Sequence, residues 1–207
     1  MSQQASPSAQ AAVDGPTIDD KAVLGEHSSS EESSMRWSDP FDRLSVGQRF
    51  RTGRRAVCDT DLTIFSALTG DWHPQHSDPD WAARSPFGER IAHGMLTLSL
   101  AVGLVPLDPE LVMALRRISD VVFKRPVRLN ESIRVAGEIA ALTPLDEHTG
   151  LVSLNWAIRN QEDALVCRAR VEVLWRRTAA ASGEAPTFWH DPIATGAGPG
   201  EFVPVPM

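Results

Sequence analysis

Three consecutive segments in the second half of the chain repeat with period two, and no other pattern in the sequence restricts the fold as strongly. In residues 132–140, Ile133, Val135 and Ile139 alternate with Arg134, Ala136 and Glu138. In 151–159, Val152, Leu154, Trp156 and Ile158 alternate with Ser153, Asn155, Ala157 and Arg159. In 165–175, Cys167, Ala169, Val171, Val173 and Trp175 alternate with Arg168, Arg170, Glu172 and Leu174. Successive side chains of a strand point to opposite faces, so each segment carries one apolar face and one more polar face. Turn-forming stretches, Asp-Glu-His-Thr-Gly and Asn-Gln-Glu-Asp, separate the three. The pattern predicts an antiparallel meander with one wet face, whose apolar face must be covered from elsewhere in the chain.

The first half supplies candidates for that cover. Residues 61–68 read as a helix capped by Asp59 or Thr60, with Leu62, Phe65 and Leu68 on one face and Thr69-Gly70 at its end. Asp78 caps, and Pro79 opens, a second short helix that Trp81 should fix to the body. Met95, Leu96, Leu98, Leu100, Val102, Leu104 and Val105 are broken only by small residues, which predicts a helix buried on most sides. A first strand is expected over 49–57. A short helix over 108–115 and a strand over 118–127 should follow the central helix, with Pro126 suited to an edge or bulge. Helices followed by consecutive strands make an α+β pattern. Residues 1–36 contain no aromatic side chain and read as a disordered leader, 37–177 as one folded domain, and 178–207 as an Ala/Gly/Pro-rich tail.

Between the first helix and the central one lie the residues that carry chemistry. Gly70-Asp71-Trp72-His73-Pro74-Gln75-His76 puts an acid and two histidines around a proline, and Pro74 disfavours a helical His73, so a rigid loop rather than a helix face is expected. Phe87-Gly88-Glu89-Arg90-Ile91-Ala92-His93-Gly94-Met95-Leu96 follows at a fixed interval, and a helix starting there offers backbone N–H groups near His93 and Gly94. Together these two stretches resemble the MaoC-like (R)-specific enoyl-CoA hydratases and dehydratases, over about residues 40–177. His73 stands where that family's D-x-N-P-x-H pattern has asparagine, a departure that bears on substrate range more than on reaction type.

The resemblance implies a single hot-dog fold, an antiparallel sheet of about five strands wrapped around a long central helix. It also implies water addition to a 2-enoyl thioester, or its removal from a (3R)-3-hydroxyacyl thioester. Asp71 and His76 would be the catalytic pair acting on water, and the Gly94 N–H would polarise the thioester carbonyl. His93 is read as a capping or packing residue of the central helix rather than a proton carrier; His73 is either an orienting partner or a solvent-facing turn residue. The rival reading is a non-catalytic or repurposed hot-dog subunit that binds an acyl thioester or a catalytic partner chain. No cofactor is expected beyond the substrate's own carrier, coenzyme A or an acyl carrier protein. The family's pairing habit implies a homodimer joined near 118–127, where Val121, Val122 and Phe123 are too apolar for an exposed edge. Arg116, Arg117, Lys124, Arg125 and Arg128 around that run are either carrier-phosphate contacts or ordinary solvated charge.

Other chemistries fit less well. Asp71, His73, His76 and Asp78 include metal-ligand types, but alternate loop residues need not converge, no further His or Cys cluster supports them, and the matched family uses no metal. There is no G-x-S-x-G elbow. A net charge of -7 without a basic cluster argues against nucleic acid. No apolar stretch is long enough to span a bilayer. Two cysteines and no secretory apolar core in the leader give a reducing cytoplasm as the expected compartment.

Overall fold

The alternating segments are three long neighbouring strands, each paired antiparallel to the next. The computed structural model describes residues 34–178. After a single 3₁₀ turn at Phe41–Arg43 come β1 (Arg49–Arg51), β2 (Arg55–Ala56), α1 (Asp59–Thr69), α2 (Pro74–Ser77), α3 (Pro79–Ala83) and α4 (Gly94–Leu104). The long strands β3 (Val112–Phe123), β4 (Ser132–Pro144), β5 (Thr149–Arg159) and β6 (Leu165–Arg176) complete the domain. The six-stranded sheet runs β1-β4-β5-β6-β3, with β2 also on β4. Every pairing between these strands is antiparallel, and a single parallel bridge joins Ser34 to Arg49.

The residues expected to face the core do so. Ile133, Val135, Ile139, Val152, Leu154, Ile158, Val171 and Trp175 are fully buried, in one cluster with Leu96, Leu98 and Ala101 of α4. Their alternates Ser153, Asn155, Arg168, Arg170 and Glu172 are half-exposed, whereas Ala157, Arg159 and Leu174, read as part of the wet face, are buried. A sheet wrapped on one helix is the arrangement expected of a single hot-dog domain. Aromatic rings fill the space left by two strand glycines: Phe50 lies over Gly137 and Phe41 over Gly150.

Several boundaries differ from the sequence reading. The expected first strand over 49–57 is interrupted at Thr52, whose hydroxyl accepts the Val135 N–H, so it becomes β1 and β2 and the sheet has six strands. The helix expected over 108–115 does not form. One turn closes, with the Val112 N–H donating to the Asp108 carbonyl at 2.7 Å, and the chain then extends as β3 because β6 offers an antiparallel ladder, interrupted by three register shifts. Leu68 is 80 % exposed, not on the buried face. Steps of three in a helix of 3.6 residues per turn drift about 60° each, and the face that packs is Leu62 and Ser66 instead. On α4, Met95, Ser99 and Gly103 form an exposed strip, so this helix is covered on fewer sides than its composition implied. Met35 is buried, so the core begins inside the stretch read as a leader. The rest of that leader, and the tail beyond Thr178, lie outside the described residues. Among the described residues no helix is long and apolar enough to cross a membrane.

Candidate active site

The site assembles where the loop after α1 meets the start of α4. The first helix has a capping box, in which the Asp61 carboxylate accepts the Cys58 N–H at 2.9 Å, and it ends at Gly70 with φ of 77°. That left-handed residue turns the chain sharply, and glycine adopts the conformation without steric cost. Asp71 follows, exposed, with Oδ1 accepting the His73 N–H at 3.2 Å. His73 is the N-cap of α2, its Nδ1 accepting the Gln75 N–H at 3.1 Å, and its ring meets Trp81 edge-on at 5.4 Å. Both features left open for His73 are present: the residue is exposed, and its ring makes a local cap to Gln75 that reaches neither Asp71 nor His76. Trp81 itself is partly exposed and touches this ring. His76 sits on α2, a single helical turn, where a loop was expected; Pro74 opens the turn, a position where its missing N–H costs nothing.

Hydrogen bonds stitch the two sequence motifs together. The Ile91 N–H donates to the Gln75 carbonyl at 3.3 Å, and the Gln75 side-chain amide donates to the Glu89 carbonyl at 3.2 Å. His76 Nδ1 lies 2.7 Å from the Ile91 carbonyl oxygen. A carbonyl can only accept, so Nδ1 carries a proton, and in the neutral ring the lone pair is on Nε2. Sequence reasoning had no signal for this contact, because a backbone carbonyl carries no residue signature.

His93 precedes α4 but makes no side-chain cap; its ring is 2 % exposed and stacks on His76 with centroids 3.8 Å apart. Its Nε2 lies 3.1 Å from both the Ser66 hydroxyl and the Asp71 carbonyl oxygen. Packing, not capping, is its structural role, and Ser66 is a partner that sequence reasoning missed. The available signal was a polar residue four positions after Leu62 on the packed face of α1. Burial lowers the His93 pKa below the ordinary imidazole value of 6.5, and the neighbouring His76 acts in the same direction, while the Asp71 carbonyl opposes both.

This shift has a testable sign. Below about pH 6.5 the unfolded chain takes up a proton on this ring that the native state binds less well, so its contribution to stability is full above that pH and is lost as the pH falls toward the folded-state value. The urea midpoint should drop between about pH 7 and pH 5, and His93→Gln should flatten that drop. An unchanged slope in His93→Gln would contradict the assignment.

One ligand atom from each of Asp71, His76 and His93 lies within 4.8 Å of the others. A water about 2.8 Å from two such groups spans that separation. The two imidazoles are stacked with an interplanar angle of 29°, and His93, which the sequence reading did not count among metal-ligand types, joins Asp71 and His76 in this cluster. Of the four residues considered as metal ligands from sequence, His73 and Asp78 are committed to capping α2 and α3. Cys167 is buried, which pushes its thiol up to about 11 and removes it as a nucleophile.

Beside His76 opens a cleft of about 330 Å³, also lined by Phe87, Gly94, Thr97, Phe123 and Val127, with Lys124 and Arg125 on its wall; Asp71 does not line it. Gly94 is the first residue of α4, where a backbone N–H has no intrahelical acceptor. Of the basic residues noted in the sequence, Arg117 pairs with Glu172 and Arg128 with Glu89.

Comparison with known proteins gives the chain its relatives. The chain is 34 % identical over 107 residues to 3-hydroxybutyryl-CoA dehydratase of Methylorubrum extorquens, covering 50 % of this chain and 66 % of that protein. It is 32 % identical over 122 residues to the (R)-specific enoyl-CoA hydratase of Aeromonas caviae, covering 59 % of this chain and 88 % of that one. It spans only 29 % of Protein MaoC of Klebsiella aerogenes. Among solved structures, the monoamine oxidase regulatory protein from Archaeoglobus fulgius superposes with a TM-score of 0.64 at 34 % identity, covering 68 % of this chain and 95 % of that one. A double hot-dog protein from Mycobacterium tuberculosis superposes with a TM-score of 0.62 at 21 % identity over 72 % of this chain and 48 % of its own, a likeness of fold. With a sequence profile described as MaoC like domain matching residues 43–154, both motifs included, the chain belongs to the MaoC-like domain family.

Proposed function

We propose that this chain is a hydro-lyase that adds water to a 2-enoyl thioester, or removes it from a (3R)-3-hydroxyacyl thioester, carried by coenzyme A or an acyl carrier protein. One arrangement carries the reading: the His76 Nδ1 lies 2.7 Å from the Ile91 carbonyl oxygen, which makes Nε2 the lone-pair nitrogen of the neutral ring, and a ring nitrogen of His76 and a carboxylate oxygen of Asp71 lie within 4.8 Å of each other, one water's reach. The names of the Aeromonas caviae and Methylorubrum extorquens relatives support the same reaction class.

In the hydration direction Asp71 and His76 hold one water and take a proton from it as its oxygen bonds to C3. The C2–C3 π electrons move toward the thioester carbonyl, and the Gly94 N–H at the start of α4 stabilises the negative charge that builds on that oxygen. The pair then returns the proton to C2 on the same face, so no atom or electron is left over. Dehydration runs the same steps backward. His93 acts through His76 as a positioning residue, its stacked ring fixing the plane in which Nε2 points. Lys124 and Arg125 stand where they could meet the phosphates of the carrier.

The chain is also proposed to act as a homodimer. Among the described residues β3 pairs only with β6 and forms one edge of the sheet, and Leu115 and Phe123 on it are exposed together with Met95 of α4. Light scattering should give twice the chain mass of 22.6 kDa, and an active monomer would remove the dimer. The activity itself is tested by following the enone absorbance of a panel of 2-enoyl-CoA thioesters of increasing length: decay with at least one member is expected, and no decay with any would leave the binding-subunit reading in its place.

A further inference from the structure

The edge strand β3 shifts register against β6 at three places, and the reaction does not use the last of them. From Ser119 to Val122 β3 advances three residues, while its partner β6 advances two, from Arg170 to Arg168. The extra residue is a bulge, and Asp120 within it has φ of 52°, a left-handed backbone that L side chains rarely adopt. One added residue moves everything after it to the opposite face. Ile118 faces the core opposite Val171, so without the bulge Phe123 would point outward. With it, Val121 packs on the core and Phe123 pairs with the buried Cys167, on the face that looks at α4.

There the Phe123 ring lies over Gly94. A Cβ on Gly94 would stand 2.8 Å from the ring's Cζ and 3.0 Å from Cε2. The ring is nonetheless 47 % exposed and lines the cleft with His76, Phe87 and Thr97. It is therefore held at the cleft by the bulge and not by burial in the core. A thioester carbonyl seated on the Gly94 N–H, with C2 one bond from its carbon, would enter the cleft that this ring lines.

We infer that Phe123, aimed by the Asp120 bulge, is the specificity-determining wall beside the thioester carbonyl, and that it restricts the site to acyl thioesters unbranched at C2. The inference rests on the proposed hydration reading for the placement of the carbonyl. The cleft volume of about 330 Å³ agrees with a small acyl group, lying at the low end of the roughly 300–1,000 Å³ of ligand pockets.

The test compares crotonyl-CoA with 2-methylcrotonyl-CoA by enone absorbance, and butyryl-CoA with isobutyryl-CoA by calorimetric binding, in the full-length chain. The parent should favour the unbranched member of each pair by about tenfold or more, the effect of one methyl group in a tight apolar site. Phe123→Ala should shrink that ratio about tenfold, and deletion of Asp120, which turns Phe123 outward, should do the same. Phe123→Leu covers the case in which the alanine variant does not fold. A parent without the preference, or a ratio within about threefold of the parent's in Phe123→Ala and Phe123→Leu, overturns the inference. Binding that keeps the preference while no enoyl thioester is hydrated retains the wall and removes the reaction; binding of neither saturated thioester removes both.

Discussion

Asp71→Asn and His76→Gln are each expected to lower turnover of a 2-enoyl thioester by about 100-fold to 10,000-fold, the range that one positioned acid or base supplies. The fold should be nearly untouched. Asp71 is exposed, and an asparagine oxygen can still accept the His73 N–H that its Oδ1 now accepts. His76 is half-buried, and a glutamine amide can still donate to the Ile91 carbonyl. Loss of rate without loss of melting temperature is therefore the signature of groups that act on water rather than in packing. Turnover within about threefold of the parent in both variants would remove the pair from the mechanism.

Gly94→Val is expected to cost roughly 3 to 4 kcal/mol of transition-state stabilisation, as when an oxyanion donor is lost. Two routes could produce that loss. The new side chain would collide with Phe123, whose ring is 2.8 Å from the position of a Cβ, and it would occupy the space that a carbonyl needs to approach the N–H. Combining Gly94→Val with Phe123→Ala separates them, because it relieves the first collision and leaves the second. The double variant should remain inactive on crotonyl-CoA. Near-normal turnover by a folded Gly94→Val protein would contradict the role of this backbone group.

The extent to which the sequence foretold this molecule follows from which interactions leave a mark on residue type. Burial does: the alternation of Val152, Leu154, Trp156 and Ile158 with polar neighbours was enough to locate β5, and the apolar run at 121–123 marked β3 as the sheet edge. Pairing leaves a weaker mark. Leu111 to Leu115 does not alternate, Asp108-Pro109 imitates a helix start, and the ladder to β6 decided the conformation instead. Within the site, the two motifs held the residues that meet, but not how they meet. The Ile91 carbonyl that sets the His76 tautomer, the stacking of His93 on His76, and the one-residue bulge that turns Phe123 inward are backbone and ring geometries with no compositional trace. Ser66 was legible in principle, as a polar residue on the packed face of α1, and was passed over in favour of Leu68.

The most direct test of a single water shared by Asp71 and His76 is hydration of crotonyl-CoA in heavy water, with the product examined by proton NMR. One pair of groups that takes a proton from water at C3 and returns it at C2 must deliver both to the same face. The product should be (3R)-3-hydroxybutyryl-CoA with one deuterium at C2, syn to the new hydroxyl. Deuterium anti to the hydroxyl, or distributed over both C2 positions at early times, would contradict the shared-water mechanism.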